Sequence, residues 1–312
     1  MLEVKAYTFL FRLSQFLVRW LWKHLPESIL STTLFRACGK RIHEVISRRD
    51  RKSVGGHCRC TDTRFFRNIA LLEVLRDLAA KKAVGSGLSI ASIGCSTGAE
   101  LYSLLWFIRS TRPDLEIKAC GLDVSKSVIA KASAGNYSKS DEELAYLSET
   151  DVTALFDSGG EVLRIKPFLS RGLKWLVADA LDPGLSNILG PQDLVLANNF
   201  IGPFFEEKAE KCLINISRIV KPNGYLVLFG MDLDLRARWV KRQGYLPITD
   251  RIEQVHVGDR AMLDWPWTRW GLEPLDKGRA DWQTRYAVVF RVPDHRIEHS
   301  NCPENKPAMI HN

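Results

Sequence analysis

Leu88-Ser-Ile-Ala-Ser-Ile-Gly94-Cys-Ser-Thr-Gly98-Ala-Glu100-Leu-Tyr-Ser-Leu-Leu-Trp106 changes its hydrophobic period in the middle. An apolar run ends at Gly94, and beyond it Leu101, Leu104, Leu105 and Ile108 recur at helical spacing. A strand therefore gives way to a helix through a glycine-containing turn. Gly94 and Gly98 have no Cβ to keep a ligand off the backbone, and Ser96 or Thr97 is placed to cap a helix whose first N–H groups are unpaired. Two readings stay open here, a ligand cradle and a packing turn.

Working outward, Ile117-Lys-Ala-Cys-Gly-Leu-Asp123 reads as a second buried strand ending in an acid. In doubly wound sheets an acid about 20 residues or more beyond the glycine turn holds a ribose diol. The alternative for Asp123 is an N-cap of the helix expected from Val124 onward. Leu173–Val177 is a third strand, followed by Ala178-Asp179-Ala180, where Asp179 either meets an adenine amine or forms a turn with Asp182. A fourth strand, Asp193–Ala197, carries Asn198-Asn199-Phe200 at its carboxyl end, the end where sites form in parallel sheets. A helix over 205–219, a strand over Tyr225–Gly230, a helix over 233–243 and strands over Arg251–Val257 and Tyr286–Val292 complete the pattern. Residues 139–172 read as a polar connection with one short helix and a strand at Val162–Ile165. The alternation over 88–230 predicts a parallel, doubly wound α/β sheet.

Upstream, Phe65 and Phe66 read as a core anchor and Arg67 as a solvated charge just inside a helix marked by Leu71, Val74, Leu75 and Leu78. The chain has 312 residues, 46% of them hydrophobic, enough for a full α/β core. Residues 1–60 hold twelve Lys or Arg against four Asp or Glu, which accounts for the whole net charge of +8. That asymmetry is either a solvated basic helix or a surface for an anionic partner or a membrane. Residues 7–24 form an amphipathic helix whose Arg12, Arg19 and Lys23 argue against a membrane span or a signal peptide. A second helix is expected over 34–48 and a charged loop over 49–56. Seven scattered cysteines exclude a disulfide framework and point to a reducing, cytoplasmic setting. His57, Cys58 and Cys60 match no common zinc spacing, so no metal is expected. Trp265, Trp267 and Trp270 form either an aromatic wall over a substrate or a plug for the sheet edge, and 294–312 read as a disordered tail.

Taken together, Thr63-Arg-Phe-Phe-Arg67, Gly94-Cys-Ser-Thr-Gly98-Ala-Glu100-Leu-Tyr-Ser103, Gly121-Leu-Asp123, Gly135-Asn-Tyr137, Asp193 to Phe204 and Ile219-Val-Lys-Pro-Asn-Gly-Tyr225 resemble the CheR family of chemoreceptor glutamate methyltransferases over about residues 61–235. The resemblance implies a class I methyltransferase, Rossmann-like domain over 81–293 behind a basic helical domain over 1–80, with S-adenosylmethionine as cofactor. It further implies that Thr63 and Arg67 approach the methionine portion and that Gly94, Cys95, Ser96, Gly98 and Glu100 form the glycine-turn site. Asp123, with Val124 beside it, would hold ribose, Asp179 and Ala180 would line the adenine, and Asn198 and Asn199 would border the site. Arg67 and Asn199 would stand at the reacting centre, with an acidic protein or a small molecule as methyl acceptor. The chain departs from the family in having Asn198-Asn199 for Arg-Asn, Pro203-Phe204 for Tyr-Phe, and Ala99 for the first of two acids in the turn. The tyrosine hydroxyl proposed to assist the family's transfer is thus missing. A cofactor-binding regulatory module and a nucleic-acid methyltransferase are the rival readings.

Overall fold

The computed structural model describes residues 63–260 and 275–294, together with His24 and Pro26. The helices expected over 7–24 and 34–48 (His24 apart), the loop at 49–56, the His57-Cys58-Cys60 cluster, the tryptophan loop and the tail beyond Asp294 lie outside the described residues.

The chain runs α1 (Ile69–Ala80), β1 (Gly87–Ile93), α2 (Ala99–Thr111), β2 (Glu116–Asp123) and α3 (Lys126–Ala134). An insert follows, with β3 (Asn136–Ser138), α4 (Glu149–Leu155), β4 (Phe156–Gly159), β5 (Val162–Ile165) and α5 (Pro167–Ser170). The main pattern resumes with β6 (Leu173–Val177), α6 (Leu185–Leu189), β7 (Gln192–Asn198), α7 (Glu206–Ile219), β8 (Val220–Phe229) and α8 (Leu233–Arg242). Last come β9 (Leu246–Pro247), α9 (Ile252–Val257), α10 (Trp282–Tyr286) and β10 (Val289–Arg291).

Seven strands form one sheet in the order β6-β2-β1-β7-β8-β10-β9. The pairs β6–β2, β2–β1, β1–β7 and β7–β8 are parallel, whereas β10 runs antiparallel to both β8 and β9. The order reverses between β1 and β7, the crevice in which doubly wound sheets place ligands. The central strands are apolar on both faces, as a sheet covered twice requires. Leu88, Ile90, Leu194, Leu196, Val227 and Phe229 pack with α1 and α2, while Ile93, Val195, Ala197, Leu226 and Leu228 pack with α7 and α8. This is the class I methyltransferase architecture.

Three expectations need correction. Residues 252–257 are helical, because Ile252 and Val255 are the buried apolar pair and stand three apart, while Val257 is exposed. The last strand is confined to Val289–Arg291, since Trp282–Tyr286 close as a turn of helix before it. The connection over 139–172 contributes to a second, three-stranded antiparallel sheet, β3-β5-β4, whose Tyr137, Leu163 and Ile165 extend the core. Among the described residues no helix is long and apolar enough to cross a membrane.

At the amino end of the parallel strands, the Asp193 carboxylate accepts from Lys82 Nζ (2.7 Å), Lys221 Nζ (2.9 Å), and the Ser89 amide (2.8 Å) and hydroxyl (2.7 Å). Burial alone would raise its pKa, but the hydrogen bonds from Lys82, Ser89 and Lys221 outweigh it and hold the carboxyl well below the usual range. The folded-state pKa is thus depressed, so the stabilisation is complete above about pH 4 and is lost as pH falls below the unfolded value. Asp193→Asn is expected to cost about 1.5–3 kcal/mol at pH 7 by urea unfolding, with the deficit shrinking as the pH is lowered below about 4.

Candidate functional site

The turn between β1 and α2 is built from left-handed residues: Gly94 (φ 67°), Ser96 (φ 50°) and Gly98 (φ 89°). A Cβ at Gly94 would stand 2.8 Å from the Phe200 ring, and one at Gly98 would stand 2.5 Å from the Trp175 ring. Both glycines are therefore required by conformation and by contact. Neither Ser96 nor Thr97 caps α2. Gly98 occupies the cap position without a side-chain bond, and the Thr97 hydroxyl donates to Glu143 Oε1 at 3.0 Å. The Thr97 carbonyl accepts from Tyr137 Oη at 2.6 Å, so the insert grips the turn through both groups.

Asp123 closes the turn from the neighbouring strand. Its Oδ2 accepts from the Ser96 amide (3.0 Å) and its Oδ1 from the Ser125 amide (2.9 Å). Ser125, not Asp123, is the cap residue of α3. Cys95 is buried in the turn, and burial, then the Asp123 charge, push its thiol far above the ordinary range, which leaves it without thiolate reactivity. Val124 is exposed beside Asp123. Asp179 Oδ1 accepts from the Leu181 amide (2.9 Å), an Asx turn, and Asp182 does the same for Gly184 (2.8 Å). Ala180 is buried, and its carbonyl accepts from Asn215 Nδ2 at 3.1 Å.

A second group of residues meets around a small cavity of about 20 Å³, room for a water or so, lined in part by Arg67, Glu100, Ser103, Asn198, Asn199 and Asp259. Phe65 and Phe66 anchor the preceding segment in the core as expected, but Arg67 is not solvated. Its Nε and Nη2 donate to Asp259 Oδ1 (2.8 Å) and Oδ2 (2.9 Å), a bidentate pair with only 13% and 1% of the two side chains exposed. Asn198 is bracketed: Nδ2 donates to Glu100 Oε1 (2.7 Å), and Oδ1 accepts from the Phe229 amide (3.2 Å). Asn199 is left-handed (φ 61°), and its amide donates to the Phe229 carbonyl at 2.8 Å. Burial raises the Glu100 pKa, partly countered by the Asn198 hydrogen bond and the Arg67 charge. A carboxylate held at that cost is stabilised by a bound cation.

Of the residues expected from sequence, Arg67, Glu100, Asn198 and Asn199 line this cavity. Gly94, Cys95, Ser96, Gly98 and Asp123 form the adjoining turn, and Asp179 and Ala180 follow the next strand. Thr63 is part-buried and is not among the cavity-lining residues. His256 is buried edge-on against Tyr286. Sequence reasoning missed Asp259, separated from Arg67 by 192 positions, and it missed Glu143 and Tyr137 as supports of the turn. The donor set suits S-adenosylmethionine: Glu100, Asp123 and Asp179 for a diol, an amine and a sulfonium, and Arg67 for a carboxylate. Among the described residues no group of three or more His, Cys, Asp or Glu is placed to hold a metal ion.

Residues 61–233 match the family model described as CheR methyltransferase, SAM binding domain. An uncharacterized 104.1 kDa protein of Rhodobacter capsulatus is 31% identical over 73% of this chain and 25% of its own length. The probable biofilm formation methyltransferase WspC of Pseudomonas aeruginosa is 27% identical over 60% of this chain and 44% of its own. Chemotaxis protein methyltransferase 1 of the same species is 29% identical over 54% and 64%. The chain thus spans between a quarter and just under two thirds of these relatives.

The glycine turn makes a testable demand. Gly85 is also left-handed (φ 70°) but has nothing within 4 Å of an added Cβ. Gly98→Ala is therefore expected to lose about 1–3 kcal/mol more than Gly85→Ala in denaturant unfolding, the excess being the collision with Trp175.

Proposed function

The chain belongs to the CheR family of S-adenosylmethionine-dependent methyltransferases, and on that premise we propose that it methylates a carboxylate of a protein side chain. When bound, the cofactor supplies an electrophilic methyl on a sulfonium sulfur. In this reading Asp123 accepts the ribose hydroxyls, with the exposed Val124 beside it, and Asp179 and Ala180 border the adenine. The turn of Gly94 to Gly98 borders the methionine portion, Glu100 and Thr63 receive its ammonium, and Arg67 holds a carboxylate. Asn199 aligns the acceptor, and Asn198 acts through Glu100.

The observation that carries the carboxylate reading is the cavity lining. Among the described residues it contains no His, Lys, Tyr or Cys, and its two acids, Glu100 and Asp259, are hydrogen-bonded to Asn198 and Arg67. An acceptor that must lose a proton needs a base, whereas a glutamate side chain, which ordinarily titrates near pH ~4.3, is already an anion at neutral pH. Alignment then supplies the catalysis. The name of one relative, a chemotaxis protein methyltransferase, agrees with a protein acceptor. Pro203, which has no hydroxyl where the family has tyrosine, favours the second reading, a module that binds cofactor without transfer. The free thiols of Cys95, Cys120 and Cys212 support a cytoplasmic setting, and we assign the basic residues 1–60, within a helical domain over 1–80, to an anionic partner or membrane surface.

The test is incubation of the purified chain with methyl-tritiated S-adenosylmethionine and fractionated bacterial protein. Methyl esters release volatile methanol in mild alkali, so alkali-labile label on protein is expected. Alkali-stable label would assign another acceptor atom, label confined to small molecules would assign a metabolite acid, and cofactor binding without any transfer would assign the regulatory module.

A further inference from the structure

Asp259 stands outside the 61–233 match, yet it is the most deeply buried acid at the candidate site and meets Arg67 along a full guanidinium edge. The segment that carries it is fastened to the same stretch of chain. The Arg260 amide donates to the Arg67 carbonyl (3.0 Å), Asn68 Nδ2 donates to the Val255 carbonyl (2.8 Å), and a Cβ at Gly258 would stand 2.9 Å from Asn68 Oδ1. Arg260 Nη1 donates in turn to the Tyr146 carbonyl (3.0 Å), while its guanidinium lies 4.8 Å from the Tyr146 ring. A fork-shaped pair of this kind fixes both the plane and the direction of the arginine. It also offsets a positive charge that would otherwise share a poorly solvated cavity with Glu100 and a bound sulfonium.

Resting on the methyltransferase reading above, we propose that Asp259 is a positioning residue that orients Arg67 and cancels its charge, so that the cavity tolerates the cationic cofactor. Arg67 is then kept at the site as a directed donor without repelling the sulfonium. The substrate S-adenosylmethionine carries that cation and the product S-adenosylhomocysteine does not, so the ratio of their dissociation constants reads the charge of the pair separately from its packing.

Calorimetric titration of the full chain with each compound tests this, with folding followed by circular dichroism and thermal unfolding. Asp259→Asn leaves the pair at +1 and is expected to shift the affinity ratio about tenfold toward the product. Arg67→Ala leaves it at −1 and is expected to shift the ratio toward S-adenosylmethionine. The double variant Arg67→Ala/Asp259→Asn, which buries no charge and remains informative where Asp259→Asn alone does not fold, is expected to return to within threefold of the native ratio. Equal losses for both compounds in every variant, or a double variant whose ratio stays displaced, would overturn the charge-balancing role. A native chain that binds neither compound would overturn the cofactor reading itself and the proposal with it.

Discussion

The turn from β1 to α2 has to pass from strand to helix within a few residues, and much of the site follows from how that is done. Three left-handed residues curl the backbone, a conformation that costs non-glycine residues about 1–3 kcal/mol unless the surroundings enforce it. Here the surroundings do so from three sides. Asp123 reaches across from β2 to the Ser96 amide, Tyr137 and Glu143 take the carbonyl and hydroxyl of Thr97, and Trp175 and Phe200 fill the spaces that side chains at Gly98 and Gly94 would occupy. The second sheet is thereby joined to the turn. Glu143, in the connection between β3 and α4, also accepts from Lys131 Nζ at 2.7 Å, and its carbonyl accepts from the Phe65 amide at 2.8 Å, so one residue links α3, the glycine turn and the segment leading to Arg67.

The other half of the site is an electrostatic arrangement. Arg67 lies between Asp259, which it meets directly, and Glu100, whose pKa its charge lowers against the larger upward effect of burial. Buried pairs of this sort seldom add much to stability, because desolvation offsets the attraction. Their use is in direction and charge. The consequence reaches beyond the family match, since α9 and the residues after it complete a site that the first part of the domain begins.

Much of this was legible in the sequence, and the reasons are local. The strand–turn–helix of 88–106 declared itself by a change of period within one short window, and Asp123 by its place at the end of the next apolar run. The central strands β1 and β7 are mostly buried on both faces and so read as nearly uninterrupted apolar segments, whereas β2 alternates and β6, at the sheet edge, has no fully buried residue. The insert was harder, because its strands have three or four residues each and their partners are fixed by tertiary packing. Residues 251–257 offered an alternation that suits a strand, and only docking of Ile252 and Val255 into the core decides for helix. Asp259 left no trace in the sequence. An acid becomes part of a site by meeting a cation 192 residues away, and no spacing rule spans that distance.

On the reading proposed above, the turn at 94–98 and Asp123 form one cofactor site. Its most direct measurement is calorimetric titration of S-adenosylmethionine into the native chain and into Asp123→Ala, each first shown to be folded. A dissociation constant in the micromolar range usual for enzyme ligands is expected, with a loss of at least about tenfold in the variant. Undiminished affinity in folded Asp123→Ala, or no binding by the folded native chain, would contradict that reading.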